Sequence, residues 1–317
     1  MVGLSYELPL LRALSSRAPV VLLYHGVARN SNDTGVDEAG FERHILFLKQ
    51  HCDFVTPENI GKSRKGSDKI RVLLTLDDGM RNNATVVAPI LRRYKVPALF
   101  FVCSRHAIAG NYLWFTYLSA LEKHFPWNGF RFSGEFMDMS PPRRHANVGR
   151  LSEFLLGLTP HPVAMYQVIA EELPRLEDFI SDAVIADSYA GMVAEQVGEL
   201  AADPLFTVGI HTVDHPFLTK CNTQDLMQQL RDNKAWIEST CGRSCDLIAY
   251  PGGDYNEDVV EQSRHLGLAY GYAVIPKTHG DSHFAIPRVG IYAPSLLLLS
   301  LKVFWGNYIR RFRVKVG

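Results

Sequence analysis

The stretch that decides the fold is RVLLTLDDGM, Arg71–Met80. A run of apolar and β-branched residues, typical of a buried strand, ends at two adjacent carboxylates, Asp77 and Asp78, followed by a glycine. Like charges repel at such a place, and neither belongs in an apolar core. One interpretation is a strand that ends in an Asp-Gly turn. The other is that one carboxylate binds a metal ion and the other transfers a proton.

The composition is that of a globular protein with 47% hydrophobic and 21% charged residues in a chain of 317. Lys plus Arg and Asp plus Glu number 33 each, so the net charge of zero gives no global electrostatic case for nucleic-acid binding. The five cysteines are odd in number and scattered, which predicts reduced thiols in a reducing compartment. No apolar stretch reaches the roughly 18 residues that cross a bilayer.

The two ends of the chain bear on localisation. The N-terminal stretch, residues 1–19, has Glu7 early, no basic region and no long apolar core, which predicts an amphipathic helix rather than a secretory signal. We therefore expect a cytoplasmic protein. The C-terminal stretch SLLLLSLKVFWGNYIRRFRVKVG, residues 295–317, is apolar and then basic. It fits a final helix packed on the core with a basic tail, or a helix that lies on the inner face of an anionic membrane.

Short apolar runs alternate with helical patterns, which predicts a mostly parallel sheet, open or closed into a barrel. The predicted strands fall within residues 19–27, 69–78, 96–104, 205–211, 245–253, 258–274 and 283–292. Helical patterns dominate between Ser104 and Asp203, so we predict a single domain with a helical insertion over about residues 105–203 in one βα connection. In barrels such connections border the active face.

A second motif, FTVGIHTVDHPFL, follows another predicted strand and carries His211 and His215. Residues four apart lie on the same side of one helix-like turn, and Pro216 indicates a tight turn rather than the middle of a long helix. Two histidines and a carboxylate make a usual open metal site. Because the ends of parallel strands converge on one face, both motifs are expected there.

The order of three motifs resembles the polysaccharide deacetylase family, the NodB homology domain of carbohydrate esterases. The motifs are TLDDG at 75–79, HTVDH at 211–215 and AYPGGDYN at 249–256, and the resemblance covers about residues 19–292 apart from the insertion. It implies a distorted (β/α) barrel of about seven strands and one divalent metal ion. It also implies a hydrolase that removes N-acetyl groups from a glycan or glycan precursor in cell-surface polysaccharide metabolism.

The same resemblance assigns roles by motif: Asp77 is the general base, and Asp78, His211 and His215 are the metal ligands. Zinc is the expected ion, with cobalt, nickel and manganese as alternatives. Such an ion polarises the acetyl carbonyl and lowers the pKa of bound water, and its charge offsets the repulsion between the adjacent aspartates. Backbone N–H groups around Gly252 are expected to stabilise the oxyanion, because glycine permits a close approach.

The sequence departs from the family pattern in two places. Ala249 stands where an arginine often holds the base, and Arg288 in IPRVGI either replaces that arginine or is an ordinary ion-paired residue. The usual acid is a histidine near the C-terminus, for which KTHGDSHF offers His279 and His283. His25 in LLYHGV is the preferred acid, because it leaves an apolar strand onto the predicted active face.

Further residues are candidates for substrate contact, although Trp114 in YLWFTYL equally fits a helix core. They are Tyr24, Trp114, Asp214, Tyr250, Asp254 and Tyr255. Two alternatives stay open: a non-catalytic carbohydrate-binding member, and an amidase or deformylase that acts on a lipid-linked sugar or another acylated amine. The intact Asp77, Asp78 and two motif histidines argue against the first. Metal content discriminates the first, and a screen of acetylated and formylated sugars discriminates the second.

Overall fold

The computed structural model describes residues 19–29, 35–60, 62, 69–109, 112–274 and 282–313. The predicted N-terminal helix, His279 and the last four residues of the tail lie outside these residues. The strands are β1 (Val20–Tyr24), β2 (Cys52–Phe54), β3 (Ile70–Leu76), β4 (Ala98–Val102), β5 (Gly129–Phe132), β6 (Glu135–Asp138), β7 (Phe206–Ile210), β8 (Leu247–Ala249), β9 (Tyr270–Ala273) and β10 (Ile286–Gly290).

Seven of these strands form a closed parallel barrel, in the order β1, β3, β4, β7, β8, β9 and β10, with β10 paired to β1. The predicted distorted (β/α) barrel is therefore confirmed. The short strand β2 was not expected from the sequence. It pairs with residues 70–72 of β3. On the same edge of β3, β4 pairs with residues 75 and 76.

The barrel strands are apolar on both faces, as parallel strands covered by helices must be. One buried cluster contains Val21, Leu73, Phe101, Leu247 and Tyr272, which come from five different strands and meet inside the barrel. Their immediate neighbours along each strand point outward and pack under the helices in the largest cluster. Because side chains alternate between the two faces of a strand, Asp77 continues the inward row of β3.

The helices are α1 (Glu38–His51), α2 (Ala88–Tyr94), α3 (Ser104–Ala109), α4 (Trp114–His124), α5 (Pro141–Gly157), α6 (Pro162–Glu171), α7 (Asp182–Ser188), α8 (Ala194–Ala202), α9 (Thr223–Cys241), α10 (Glu257–His265) and α11 (Leu296–Arg313). Asn222 caps α9 and Gly242 ends it in a left-handed conformation, as the sequence predicts. A π-helical turn over Asn83–Val87 runs directly into α2, and Pro89 is the second residue of α2.

The connection from β4 to β7 holds α3 to α8 together with the antiparallel hairpin β5–β6. The sequence predicts a helical insertion over about residues 105–203 and does not indicate this hairpin. The hairpin turns at Ser133 and Gly134, which both have positive φ, as a two-residue hairpin turn requires. The insertion has its own apolar cluster, built around Tyr117, Leu121 and Leu155.

The structure also bears on disulfide bonding and on membrane-spanning helices. All five cysteines are free thiols. Over the part of the chain that the structure describes, no helix combines the length and the apolar composition that crossing a bilayer requires. The C-terminal helix α11 instead packs along the outside of the barrel against β1, β10 and α1, with Leu299 and Val303 buried.

Candidate active site

The candidate site lies at the end of the barrel where the parallel strands finish. His25 follows β1, Asp77 and Asp78 follow β3, and His211 follows β7. Because these strands run in the same direction, their carboxyl ends share one face. The sequence motifs are brought together by topology rather than by closeness along the chain.

Three side chains form a group that could hold a metal ion, and we call Asp78, His211 and His215 the metal group. The ligand atoms of Asp78, His211 and His215 all lie within 4.8 Å of one another. Asp78 Oδ1 lies 3.4 Å from Nε2 of His211 and 3.5 Å from Nε2 of His215. That oxygen is buried and has no hydrogen-bond partner among the described residues. A buried, unsatisfied carboxylate oxygen facing two imidazole nitrogens fits a divalent ion of zinc character.

A backbone contact orients His211, and an aromatic contact orients His215. His211 Nδ1 lies 2.8 Å from the carbonyl oxygen of Ala249, which favours the tautomer that donates there and leaves Nε2 facing Asp78. The ring of His215 packs on Phe115, with centroids 4.6 Å apart. Burial lowers the pKa of His215 to about 3, which keeps the imidazole neutral, the form that binds metal ions.

The turns that carry the ligands have unusual backbone conformations. Asp78, Thr212 and His215 have φ values of 73, 70 and 56 degrees, in the left-handed region that non-glycine residues rarely adopt. Thr212 Oγ1 accepts a hydrogen bond from the His215 N–H at 3.1 Å, which holds the tight turn expected before Pro216. Such strain persists only where surrounding contacts fix it, and it is concentrated at functional sites.

Asp77 points into the barrel and forms a buried ion pair with Arg288. The Arg288 Nη1 and Nη2 atoms donate to the two carboxylate oxygens at 2.6 and 2.7 Å. Burial favours the neutral carboxyl, but the guanidinium and His211 outweigh it and lower the pKa of Asp77. Arg288 thus contacts the predicted base, although Ala249 occupies the motif position where the family often has its arginine.

His25 lies at the mouth of the site and is half-buried. Its carbonyl oxygen accepts a hydrogen bond from Asn83 Nδ2 at 2.9 Å, and its ring stacks on Tyr292 with centroids 5.8 Å apart. For Asp78, burial disfavours the charged carboxylate, but the charges of His25 and the two ligand histidines outweigh it and lower the carboxyl pKa. The hydrogen bond from Asn83 and the contact with the Tyr292 ring fix the position of His25.

The competing histidine His283 lies at the opposite end of the barrel. It is exposed, and it precedes β10, so it belongs to the end where strands begin. Its ring contacts Tyr270, the first residue of β9, at 5.4 Å between centroids. The topology separates His283 from the site, because residues before a parallel strand and residues after it lie at opposite ends.

Three tyrosines predicted to line the site are buried elsewhere. Tyr24 faces outward, and its hydroxyl lies 3.0 Å from Nδ1 of His44 on α1. Tyr250 stacks on Tyr255 with centroids 4.7 Å apart, and both are buried in the outer core. The structure does not bring these three side chains to the metal group.

Asp214 and Asp254, the two aspartates predicted to contact substrate, stabilise loops near the site. Asp214 accepts hydrogen bonds from Arg105 Nε and, at 2.6 Å, from Gln229 Nε2, so both of its oxygens are engaged. Asp254 Oδ2 accepts from the backbone N–H and the hydroxyl of Thr219, at 2.8 and 2.7 Å. These hydrogen bonds hold the loops that carry the two aspartates.

Gly252 lies in the exposed turn after β8 and has a φ of 60 degrees. A Cβ atom at this position would stand 2.8 Å from Cε1 of Phe217. Only glycine combines this backbone conformation with so close a neighbour. The predicted oxyanion role of its backbone stays a prediction.

The insertion forms one wall of the site. Trp114 is buried and its Nε1 donates to the carbonyl oxygen of His215 at 3.3 Å, so it positions the ligand turn. Tyr166 donates to the carbonyl oxygen of Asp214 at 2.9 Å. The backbone N–H of Met192 bonds to the carbonyl oxygen of Gly79 at 2.9 Å, which holds the Asp-Asp-Gly turn.

Three residues of the site were not predicted from the sequence: His106, Phe115 and Tyr292. His106 lies between the carbonyl oxygens of Asp78 and Tyr189, at 3.3 and 3.2 Å, and joins the metal group to the insertion. Phe115 and Tyr292 contact the rings of His215 and His25. Tyr292 follows a predicted strand, so the rule that selected His25 would have found it. Nothing in the local sequence distinguishes Phe115 from its aromatic neighbours.

Sequence comparison identifies one family and one curated relative. The polysaccharide deacetylase family profile matches residues 64–128 and 167–271, which is more than half of the chain. The unmatched residues between these segments hold the β5–β6 hairpin and α5. A putative polysaccharide deacetylase, YxkH of Bacillus subtilis (strain 168), is 19% identical over 278 residues, covering 86% of this chain and 70% of the relative.

Solved structures share the fold at low sequence identity. The Streptococcus pyogenes deacetylase PplD, in complex with acetate, aligns with a TM-score of 0.54 at 18% identity, covering 90% of this chain and 98% of that one. IcaB from Ammonifex degensii aligns with a TM-score of 0.54 at 18% identity, covering 92% and 98%. At this identity the likeness supports the barrel alone.

We expect Arg288→Met to lower the free energy of unfolding by about 3–5 kcal/mol, because it leaves the buried Asp77 carboxylate without its partner. The double variant Asp77→Asn/Arg288→Met should recover part of this loss, since it removes both charges. Urea denaturation of the metal-free protein measures both. The control is Arg231→Met, whose exposed partner is Asp232, and it should cost less than about 1 kcal/mol. Equal losses for the two single variants would contradict the buried ion pair.

Proposed function

Because the chain belongs to the polysaccharide deacetylase family, we propose that it is a metal-dependent hydrolase that removes N-acetyl groups from a glycan or glycan precursor in cell-surface polysaccharide metabolism. One observation carries the proposal. Asp78, His211 and His215 converge on one point beside an aspartate that a buried arginine keeps ionised. A metal group next to a fixed proton acceptor is what hydrolysis of an amide requires.

The proposed ion is zinc, with cobalt, nickel or manganese as alternatives, held by Asp78, His211 and His215. When bound, it would polarise the acetyl carbonyl and make a water molecule acidic at neutral pH. Two neutral imidazoles and one carboxylate leave positions for water and substrate. The hydrogen bond from His211 to Ala249 supports this assignment, because second contacts of this kind orient metal-binding histidines.

Asp77 is the proposed general base. Its Oδ2 lies 3.8 Å from Nε2 of His211, so it stands beside the ligand group rather than within it. Arg288 donates to both carboxylate oxygens, which fixes the carboxylate and favours its ionised form. An ionised, immobile carboxylate accepts the proton of the attacking water without reorganisation, and backbone N–H groups near Gly252 are the proposed oxyanion donors.

His25 is the proposed general acid. Its stacking on Tyr292 and its carbonyl contact with Asn83 support a fixed position after β1, at the end of the barrel that also holds the base. The departing amine of an amide must be protonated, and an imidazolium is suited to that step near neutral pH. The half-exposed ring allows the proton to be replaced from solvent.

Metal content gives the first test of the proposal. The purified protein should carry about one divalent ion per chain, and His211→Ala should lose it because one of three ligands is removed. Elemental analysis of the dialysed protein measures the content. His283→Ala is the matched control, since its imidazole is exposed at the other end of the barrel, and it should retain the ion. Equal occupancy in His211→Ala and wild type would refute the ligand group.

The two aspartates should separate when each is changed. Asp77→Asn should retain the metal ion and lose turnover of an N-acetylglucosamine oligosaccharide by about 10²–10⁴-fold, because the proton acceptor is removed while all three ligands remain. It also removes the carboxylate partner of Arg288, so the free energy of unfolding should fall. Asp78→Asn should lose the metal ion as well. Circular dichroism checks folding, and the two measurements are elemental analysis and amine release. Loss of metal in Asp77→Asn together with its retention in Asp78→Asn would reverse the two roles.

Leaving-group dependence tests His25. His25→Ala should cut amide turnover by about 10²–10⁴-fold and leave the metal content unchanged. It should cost much less with an aryl acetate, whose phenolate departs without protonation. His283→Ala should be mild with both substrates. If His25→Ala slows the amide and the ester equally, then His25 does not protonate the leaving group.

A further inference from the structure

The C-terminal helix α11 exposes four leucines: Leu296 at its first residue, and three more on its outer side. Leu297, Leu298 and Leu301 are 69%, 46% and 45% exposed, and we call them the leucine face. The opposite side of the same helix is buried through Leu299 and Val303. The helix is therefore held on the barrel by one apolar side, while the leucine face is largely open to solvent in the part of the chain that the structure describes. A contiguous exposed apolar surface of this kind marks an interaction site more often than chance exposure.

The leucine face begins beside the mouth of the active site. The helix starts a few residues after β10 ends, at the same end of the barrel as the site. Tyr292 connects the two, because its ring stacks on His25 and lies 5.4 Å from Lys302 Nζ on α11. Further along, Gly306 packs against Val20 at the start of β1, so α11 runs along the barrel wall from the mouth toward the opposite end.

The charge of this region is one-sided. From residue 282 to residue 317 the sequence contains no Asp or Glu, while α11 alone carries Lys302, Arg310, Arg311 and Arg313. In the sequence, the spacing of the leucine face continues at intervals of three and four through Trp305, Tyr308 and Phe312. Leucines with interfacial aromatic residues and an excess of basic residues characterise helices that lie on anionic membranes.

We propose that α11 docks on an anionic lipid bilayer through the leucine face, with its axis in the plane of the membrane. A second part of the inference rests on the proposed function: the substrate is an acylated amino sugar anchored in the same membrane. The mouth at the start of α11 then opens along the lipid surface, within reach of a headgroup sugar. A second copy of the chain is a less favourable occupant, because two helices with only basic charges repel when they face each other.

Vesicle sedimentation with the full chain tests the docking surface. Wild type should bind vesicles of phosphatidylcholine mixed with phosphatidylglycerol, and Leu297→Gln/Leu298→Gln/Leu301→Gln should bind them about tenfold or more weakly, because each leucine loses its burial. The matched control is Phe136→Gln/Val163→Gln, which removes two side chains of 61% and 52% exposure in the insertion. The control should bind like wild type. Equal binding by the two variants and wild type would overturn the proposal.

The charge contribution has its own variant. Arg310→Gln/Arg311→Gln/Arg313→Gln should weaken binding to the phosphatidylglycerol vesicles by about tenfold, since the helix loses three positive charges near the anionic surface. Binding of wild type should fall as salt is raised and should be weak on phosphatidylcholine alone. If the binding affinity depends on neither the salt concentration nor the lipid charge, an anionic bilayer is not the partner.

Two further measurements separate the parts of the inference. Sedimentation velocity should find wild type and the leucine variant in the same oligomeric state, whereas a wild-type dimer lost in the variant would assign the leucine face to a second copy. Against a soluble N-acetylglucosamine oligosaccharide the leucine variant should match wild type. Against a lipid-anchored N-acetylglucosamine in vesicles it should be about tenfold slower. Vesicle binding without any deacetylation by wild type would preserve the docking surface and refute the proposed function.

Discussion

The structure depends on one buried ion pair, between Asp77 at the end of β3 and Arg288 in β10. Each charge is removed from water, and each is tolerable only because the other is present. The two strands lie on either side of β1, so the pair reaches across the strand that closes the barrel. The contact therefore forms only when the sheet is closed. Barrel closure thus buries Asp77 and brings the arginine that keeps it ionised there.

Much of this site follows from the sequence because a parallel barrel gathers the residues that follow its strands. That rule located Asp77, Asp78 and His211, and it also separates His25 from His283. Side-chain direction is harder, because adjacent residues of a strand point to opposite faces: Tyr24 is buried under α1, whereas His25 reaches the mouth. Contacts made across the insertion, such as Phe115 with a ligand ring, depend on tertiary packing that no local pattern encodes.

The insertion has a mechanical role at the site. The backbone at Asp78 and His215 is left-handed, and such conformations require contacts that hold them. The segment around Met192 bonds to the turn after β3, and Trp114 bonds to the carbonyl of His215. Residues far apart in sequence therefore share the cost of keeping three ligands in one place. Local unfolding of the insertion should therefore disturb the positions of the metal-binding side chains before it destabilises the barrel strands.

The placement of the arginine has an evolutionary consequence. Ala249 belongs to the buried cluster inside the barrel, and the small side chain there leaves interior space while the guanidinium comes from β10 instead. A single carboxylate can neutralise only one such cation. A lineage with arginine at both positions would bury an unmatched charge, and one with neither would leave Asp77 unmatched. Positions 249 and 288 should consequently exchange arginine as a coupled pair during divergence, because either substitution alone leaves a buried charge unmatched.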